Sequence, residues 1–329
     1  MLILNAEEVR KTLPMKDTIE AMKSAYASLS DGKADVPLRT RLSIPNHEAL
    51  GIFMPAYVQS KDADALALKV VNIYPNNPAR GLPYILATVF AFDAATGGLA
   101  AVLEGGTLTA IRTGAGSGAA IDLLARKDSK VVAIFGAGVQ GRTQLEAACS
   151  TRNIGKAWVF DADAGRAEAF VREMAGKGAI PSDLRVASSS KEAVQDADII
   201  CTATTSTTPV FDDADLKPGA HISAIGAYTP EMVEVPVETI LRAKVFVDSR
   251  SAVLAEAGDL IQPIQKGLIT EAHVQAELGE IVLGRKTGRQ SDSEITFFKS
   301  VGVAVQDAMA AQLALKNARQ QGLGQEIPF

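Results

Sequence analysis

Three glycines, Gly136, Gly138 and Gly141, follow the apolar run 131–135 and stand at the start of a segment with helical character. In the pattern Gly-x-Gly-x-x-Gly the first glycine allows a tight turn, the second lets the backbone approach a pyrophosphate, and the third permits close packing of helix against strand. Amide groups at the helix N-terminus then face the phosphates. The pattern alone is weak evidence, but alternating strands and helices around it predict a dinucleotide site.

Asp161 ends the second predicted strand of this unit, 25 residues after Gly136. An acid about 20 residues after the glycines usually binds the adenosine ribose hydroxyls. A carboxylate there repels a 2′-phosphate, so NAD(H) is favoured as the cofactor. The alternative is a surface Asp that caps the next helix. Arg166 lies five positions further on and could bind a 2′-phosphate, which keeps NADP(H) possible.

Lys69 lies in the segment 65–74, which is apolar in both phases of a strand. Strand alternation puts it on one face with Ala67, Val71 and Ile73, so its ammonium points into an apolar layer unless an anion meets it. The alternative is a lysine whose stem runs to the rim of the sheet.

Three arginines could bind a carboxylate. Arg39 and Arg41 share one face of a predicted strand, and either could hold a carboxylate in a bidentate fork, although each could also be a solvated strand charge. Arg112 lies in the small-residue run 107–115. A guanidinium on a tightly packed helix needs an anion to offset its desolvation, and a substrate carboxylate or the cofactor pyrophosphate would serve.

The order of elements predicts two domains. A helix over residues 14–30 precedes strands at 36–44, 50–58, 65–74, 84–92 and 99–103, which indicates a largely antiparallel α+β unit. From Lys130 onward six strand-like runs alternate with helices, which predicts a doubly wound parallel sheet. A last helix, 302–319, is expected to cross back. We therefore expect one domain of residues 1–126 with 303–329 and another of residues 127–302.

Composition excludes several classes of function. The 329 residues carry a net charge of -5 without a basic cluster interleaved with aromatics, so no nucleic-acid partner is expected. No apolar run reaches the roughly 18–20 residues of a membrane span and the N-terminus lacks a basic, then apolar, leader, so we expect no membrane association and a cytoplasmic location. Cys149 and Cys201 are expected to be free thiols. His47, His221 and His273 are scattered, which predicts no metal site.

The sequence resembles the ornithine cyclodeaminase/mu-crystallin family over essentially its whole length. The matching motifs are Met54-Pro55, Lys69-Val70-Val71-Asn72 followed by Pro75, Asn77 and Gly81-Leu82-Pro83, Thr109-x-x-Arg112-Thr113-Gly114-Ala115, Gly136-Ala137-Gly138-Val139-Gln140, Ile225-Gly226-Ala227 and residues 295–302. The combination is far more specific than the glycine pattern alone.

The resemblance implies a Rossmann domain that binds a nicotinamide dinucleotide and an N-terminal α+β domain that binds a small amino or imino acid and forms a homodimer. It implies that Arg41, Lys69 and Arg112 hold the substrate carboxylate. It places Asp161 on the ribose, and Ser300 and Val301 near the nicotinamide. The full set of cofactor residues that the resemblance implies is Arg112, Thr113, Gly136, Gly138, Val139, Gln140, Asp161, Arg166, Thr202, Ala203, Thr204, Gly226, Ser300 and Val301. Further substrate contacts are expected from Ile52, Met54, Tyr228, Val301 and Gly302.

Two departures from the family pattern narrow the reaction. Ornithine cyclodeaminases carry a Glu for the distal amino group of the substrate where this sequence has Ile52. They also carry an acid/base Asp, shared with related alanine dehydrogenases, where this sequence has Tyr228. Loss of a positioned proton-transfer group typically costs roughly 10²- to 10⁴-fold in rate. The string Tyr-Thr-Pro-Glu-Met at 228–232 is more similar to members that reduce cyclic ketimines.

The leading hypothesis is therefore NAD(P)H-dependent reduction of the C=N bond of a cyclic 2-imino acid, giving L-proline or L-pipecolate. Lys69 or an ordered water would supply the proton, with Tyr228 as a weaker candidate for this catalytic role. The alternatives are alanine dehydrogenase, ornithine cyclodeaminase and a non-enzymatic protein that binds a dinucleotide or small ligand.

Overall fold

A computed structural model describes residues 1–60 and 63–328. The chain divides into two compact units, Met1–Arg112 with Val303–Phe329, and Thr113–Gly302. The first boundary falls inside a helix, between Arg112 and Thr113, whereas the sequence pattern predicts it after residue 126. The reason is that Ile121 and Ala125 are buried in a hydrophobic core made by residues of the second unit.

The N-terminal part of the chain folds into the helix and the run of strands that the sequence predicts. The helix predicted over residues 14–30 is confirmed, with Ile19, Met22 and Tyr26 buried at helical spacing. The elements are β1 (Leu2–Leu4), α1 (Ala6–Thr12), α2 (Met15–Ser30), β2 (Ala34–Asp35), β3 (Thr40–Ile44), β4 (Ala49–Val58), β5 (Ala65–Ile73), β6 (Ile85–Phe92), β7 (Leu99–Glu104) and α3 (Gly105–Leu124).

The remaining elements alternate between strand and helix before the chain returns to the first unit. They are β8 (Val131–Phe135), α4 (Val139–Thr151), β9 (Lys156–Phe160), α5 (Ala164–Met174), β10 (Leu184–Val186), α6 (Ser190–Val194), β11 (Ile199–Thr202), β12 (His221–Ala224), α7 (Val237–Arg242), β13 (Lys244–Val247), α8 (Arg250–Glu256), α9 (Gly258–Gln265), β14 (Val274–Glu277), α10 (Leu278–Val282), β15 (Thr296–Lys299), α11 (Ala304–Gln321) and β16 (Gln325–Glu326).

The first unit contains a mixed sheet in the order β16-β1-β7-β6-β5-β4-β2, with β3 paired to β4. Strands β3 to β7 pair antiparallel, and β1 runs parallel to β7. Helix α11 packs against β4, β5 and β6, and α2 packs against α11. The predicted return of the C-terminal helix is thereby observed.

Strand register decides which side chains share a face of this sheet. Lys69 is opposite Met54 on β4 and opposite Val89 on β6, and directly paired residues of antiparallel strands point to the same side. Ile52 lies two residues before Met54 and pairs with Arg41. Arg41, Ile52, Met54, Lys69 and Val89 therefore share one face, the face that contacts α11.

The opposite face is also apolar but only partly covered. Phe53, Val70 and Phe90 point to it, and each side chain keeps intermediate exposure. Leu42 and Leu86 lie on the same face at 56% and 48% exposure. This two-sided character explains why strand β5 is apolar in both phases of its sequence.

The second unit contains a parallel sheet in the order β10-β9-β8-β11-β12-β15-β13-β14. The predicted α/β class with a doubly wound parallel sheet is confirmed. The sequence pattern predicts six of these strands but not β14 or β15. Strand β15 inserts between β12 and β13, so its pairing partners are far away in sequence.

Candidate active site

Lys69 lies at the centre of a buried charge cluster in the first unit. It occupies the middle of β5, with 1% of its side chain exposed, and its Nζ is 2.7 Å from Oδ2 of Asp307. Asp307 lies in the first turn of α11 and is also 1% exposed. The predicted anion that must meet Lys69 is thus a carboxylate of the protein itself.

Arg112 approaches the same carboxylate from helix α3. Its Nε donates to Oδ1 of Asp307 at 2.9 Å, and its Nη1 donates to Oε1 of Gln306 at 2.9 Å. Gln306 in turn donates through Nε2 to the hydroxyl of Tyr26 at 2.8 Å. These bonds engage Nε and Nη1 of the guanidinium, whose planar fork has five donors in all. The Nη2 group takes part in neither bond.

Burial lowers the pKa of Lys69 to about 7, and the positive charge of Arg112 adds to this effect. The Asp307 carboxylate acts in the opposite direction by raising the pKa, while the charge of Arg39 lowers it. A lysine with such a pKa exchanges its proton near neutral pH, which suits general acid catalysis.

Arg39 lies directly before β3 and Arg41 lies on it, and the two differ in exposure and in their effect on Lys69. Arg41 is exposed, whereas Arg39 is partly buried and its charge is among those that most affect the pKa of Lys69. Sequence spacing could not separate them, since residues two apart on a strand share a face. Ile52 and Met54 are both buried on the Lys69 face and make its surroundings apolar.

Sequence reasoning missed Asp307 and Gln306. A signal for Asp307 was present, because it lies on α11 at helical spacing from the small residues Ala304, Ala311 and Ala314, all buried. A buried acid among small residues needs an oppositely charged partner, just as the lysine on β5 does.

The glycine loop of the second unit has the geometry that a pyrophosphate needs. Gly136 has φ +98°, and a Cβ at this position would lie 2.6 Å from the carbonyl oxygen of Ala203. A Cβ on Gly141 would clash with the carbonyl oxygen of Gly136. A Cβ on Gly138, in contrast, would meet no atom within 4 Å. Backbone atoms therefore fill the space next to the first and third glycines, whereas the space next to the second glycine is open. Val139, which follows the second glycine, is exposed.

Asp161 directly follows strand β9 and fixes this loop. Its Oδ2 accepts from the Ala137 amide at 2.7 Å, and its Oδ1 accepts from the Asp163 amide at 2.9 Å. Each carboxylate oxygen has a further lone pair, so both bonds are compatible with acceptance from ribose hydroxyls. The side chain of Arg166 is exposed, on the first turn of α5.

Two further loops follow the carboxyl ends of β11 and β12, where ligands of doubly wound sheets bind. The buried carboxylate of Glu234 joins them, because it accepts from the amide and hydroxyl of Thr204 and from the amides of Gly226 and Ala227. Burial raises the pKa of Glu234, and the nearby charge of Lys299 opposes this. Thr202 is buried, Ala203 is partly buried, and Tyr228 is half-buried on the second loop.

A separate buried carboxylate, that of Asp248, fixes the segment 300–302. It accepts from the hydroxyl of Ser300 at 2.7 Å and from the amides of Val301 and Gly302 at 3.0 and 2.8 Å. Burial raises the pKa of Asp248, and the bond from Ser300 lowers it.

All of the predicted cofactor residues except Arg112 lie in the second unit, including Thr113 and Gln140. Arg112 is the last residue of the first segment of the first unit.

In residues 1–60 and 63–328, no helix is long and apolar enough to span a bilayer. The same part of the chain contains no grouping of three or more His, Cys, Asp or Glu residues suited to a metal ion.

Comparison with known proteins gives a match to the ornithine cyclodeaminase/mu-crystallin family over residues 1–322. The chain belongs to this family. It is 39% identical over 330 residues to a Delta(1)-pyrroline-2-carboxylate reductase of Bacillus cereus, with 100% of each chain covered. The match confirms the family resemblance inferred from the sequence motifs.

Solved structures of family members are similar along the whole chain. Delta(1)-pyrroline-2-carboxylate reductase of Thermococcus litoralis in complex with NADH and L-proline gives a TM-score of 0.93 at 44% identity, covering 99% of this chain and 100% of that chain. An archaeal alanine dehydrogenase dimer with bound NAD gives 0.91 at 34% identity, covering 100% and 99%. These family members have the predicted fold.

The glycine geometry predicts different effects for two similar substitutions. Gly138→Ala should leave the fold intact, because its Cβ meets open space at φ -78°, but should weaken NADH binding by about tenfold or more, since the methyl occupies the path of the pyrophosphate. Gly141→Ala should lower the free energy of unfolding by about 2 kcal/mol or more through overpacking. Urea unfolding and NADH fluorescence titration measure the two effects. Unchanged NADH affinity in Gly138→Ala would contradict the assignment of this loop.

Proposed function

We propose that this chain is an NADH-dependent reductase that converts the C=N bond of a cyclic 2-imino acid, with Δ1-pyrroline-2-carboxylate as first choice, into the cyclic amino acid L-proline. The observation that carries the proposal is the buried cluster of Lys69, Arg112 and Asp307, which has two cations for one anion. Such a site attracts a carboxylate. The names of the similar reductases support the same substrate class.

The second unit fits a nicotinamide dinucleotide. The open space in front of Gly138 suits a pyrophosphate, and Asp161, with its remaining lone pairs, suits the adenosine ribose. The segment 300–302, fixed by Asp248, and the loops joined by Glu234 are the proposed surroundings of the nicotinamide. When bound, the reduced nicotinamide supplies the hydride.

The first unit binds the imino acid and supplies the proton. Arg112, whose guanidinium is held at Nε by Asp307 and at Nη1 by Gln306, donates through its Nη2 group to the substrate carboxylate. Arg39 or Arg41 adds a second positive charge. Lys69, with a pKa of about 7, gives its proton to the imine nitrogen as the carbon accepts the hydride. The product is a secondary amine, and Lys69 is then reprotonated from solvent.

Apolar surroundings favour a substrate without a distal charge. Ile52 pairs with Val71 on β5 and lies diagonally across from Lys69, and Met54 is directly opposite Lys69. Both side chains are buried. A distal ammonium, as in ornithine, would lose its hydration there without a partner. A five- or six-membered hydrocarbon ring suits this environment, so Δ1-piperideine-2-carboxylate is a second substrate of the same class.

We propose that the chain forms a homodimer through the partly covered face of the first unit's sheet. Phe53, Val70 and Phe90 keep intermediate exposure there, and Leu42 and Leu86 are exposed. A contiguous apolar face of this kind is typical of a protein interface. The similar archaeal alanine dehydrogenase is a dimer.

The reaction is tested by absorbance at 340 nm with NADH. The wild-type chain should oxidise NADH with Δ1-pyrroline-2-carboxylate or Δ1-piperideine-2-carboxylate and should do so far more slowly with pyruvate plus ammonia. Lys69→Ala should lose about 10²-fold or more in kcat/KM while binding NADH as wild type does. Turnover only with pyruvate plus ammonia would identify an alanine dehydrogenase instead. Ammonia release from ornithine without net NADH change would identify a cyclodeaminase.

Cofactor choice depends on the charge of Asp161. Asp161→Ala should weaken NADH binding by about 10- to 100-fold, the range for loss of hydrogen bonds to a charged group, and should weaken NADPH less. Because Asp161 also accepts from the Ala137 amide, Asp161→Asn is the control that retains an acceptor for the loop while removing the charge. Fluorescence titration with both cofactors measures the ratio. A ratio of NADH to NADPH affinity that stays at its wild-type value in both variants would refute this role.

We expect the dimer to depend on the exposed leucines of the partly covered face of the first unit's sheet. Changing Leu42 and Leu86 together to Asp should give a folded monomer, since charges desolvated in an apolar interface are strongly unfavourable. Leu241→Asp is a matched control, because Leu241 is 44% exposed but lies in the second unit. Sedimentation velocity gives the mass of each variant. A dimeric double variant would show that another surface mediates assembly.

A further inference from the structure

Asp307 connects three elements of the first unit through one carboxylate. Oδ2 meets the ammonium of Lys69 from β5, and Oδ1 meets Nε of Arg112 from α3, while Asp307 itself belongs to α11. The neighbouring Gln306 accepts from Nη1 of Arg112 and from the Val303 amide through the same Oε1. The start of α11 therefore presents two adjacent acceptors to the guanidinium.

The charge balance distinguishes this cluster from a purely structural ion pair. The second unit also buries a lysine against an aspartate, Lys299 and Asp259, both 0% exposed and 2.8 Å apart. There the acids outnumber the cation, because the charge of Lys299 also acts on the buried Glu234. Around Lys69 the cations outnumber the acid. The uncompensated positive charge around Lys69 suits a ligand anion, whereas the second cluster has no surplus positive charge to attract one.

The groups that face Lys69 come from each element packed around it. Asp307 on α11 and Arg112 on α3 are charged, and Arg39 before β3 acts on Lys69 through its charge. The flanking strands present the neutral side chains of Met54 and Val89. Of the charges with the largest effect on Lys69 in the described part of the chain, Asp307 is the one that favours the ammonium form.

We propose that Asp307 is a positioning residue of the reaction: it keeps Lys69 in its charged, proton-donating form and orients Arg112 so that its Nη2 group is directed towards the substrate carboxylate. This inference rests on the proposed function in so far as Lys69 is the proton donor.

The test is the pH dependence of Asp307→Asn, which keeps the shape of the side chain and removes its charge. In the wild type, kcat/KM for imine reduction should fall tenfold per pH unit once Lys69 loses its proton above about pH 7. The pKa of Lys69 falls in the variant because the favourable anion is lost, so this decline should begin about 1 to 3 pH units lower. At pH 8 kcat should drop more than KM changes. An unshifted profile would overturn the proposal.

Two matched variants separate charge from stability. Asp259→Asn removes the acid of the other buried lysine pair, so it should cost thermal stability like Asp307→Asn yet leave the pH of the decline where it is in wild type. Asp307→Glu restores the charge at a displaced position, so it should return the decline towards the wild-type pH while kcat stays reduced. A shift of equal size in Asp259→Asn would mean that stability, not the Asp307 charge, moves the profile.

A direct titration keeps this inference separable from the proposed reaction. In protein labelled with carbon-13 at the lysine ε position, the Lys69 signal is identified by its absence in Lys69→Arg, and its titration is followed by nuclear magnetic resonance. It should titrate near pH 7 in wild type and at lower pH in Asp307→Asn. If the chain reduces no imine, the proposed function fails, and this titration still decides whether Asp307 sets the charge of Lys69. Identical titration in both proteins would reject the inference.

Discussion

Desolvation of Lys69 is the constraint on which the first unit depends. An ammonium buried at the centre of a sheet is strongly unfavourable unless an anion meets it with good geometry. Asp307 provides that anion and meets Arg112 at the same time, so strand β5 and helices α3 and α11 must approach to within ion-pair distance. The small residues of α11 permit the helix to lie close to the sheet. The charge that the proposed reaction uses thus also determines how its unit packs.

In the second unit, two buried carboxylates are hydrogen-bonded to the backbone amides of loops instead of to cationic side chains. Buried carboxylates at Glu234 and Asp248 accept several backbone amides each, and these bonds fix the segments after β11, β12 and β15. Asp161 does the same for the glycine loop after β8. Loops at the carboxyl ends of a parallel sheet have little regular hydrogen bonding of their own. Acids that accept from their amides therefore give them defined conformations.

Strand register links the two sides of the first sheet. Alternate residues of β5 point to α11 and to the partly covered face, so a single strand contributes both Lys69 and the partly exposed Leu68 and Val70. Any shift of register by one residue would exchange these sides. The position of the proposed catalytic lysine and the apolar character of the proposed dimer face are consequently coupled through the pairing of β4, β5 and β6.

The sequence by itself determined the features that depend on local pattern. The glycine spacing, the alternation of β5 with its isolated Lys69, the helical period of α2 and the alternation of the second unit were all readable, because turns and periodicity involve residues close in the chain. Tertiary structure decided which distant groups meet. Asp307 as partner of Lys69, the order of β14 and β15 in the sheet and the difference between Arg39 and Arg41 depend on packing across long separations, where sequence supplies the charges but not the distances between them.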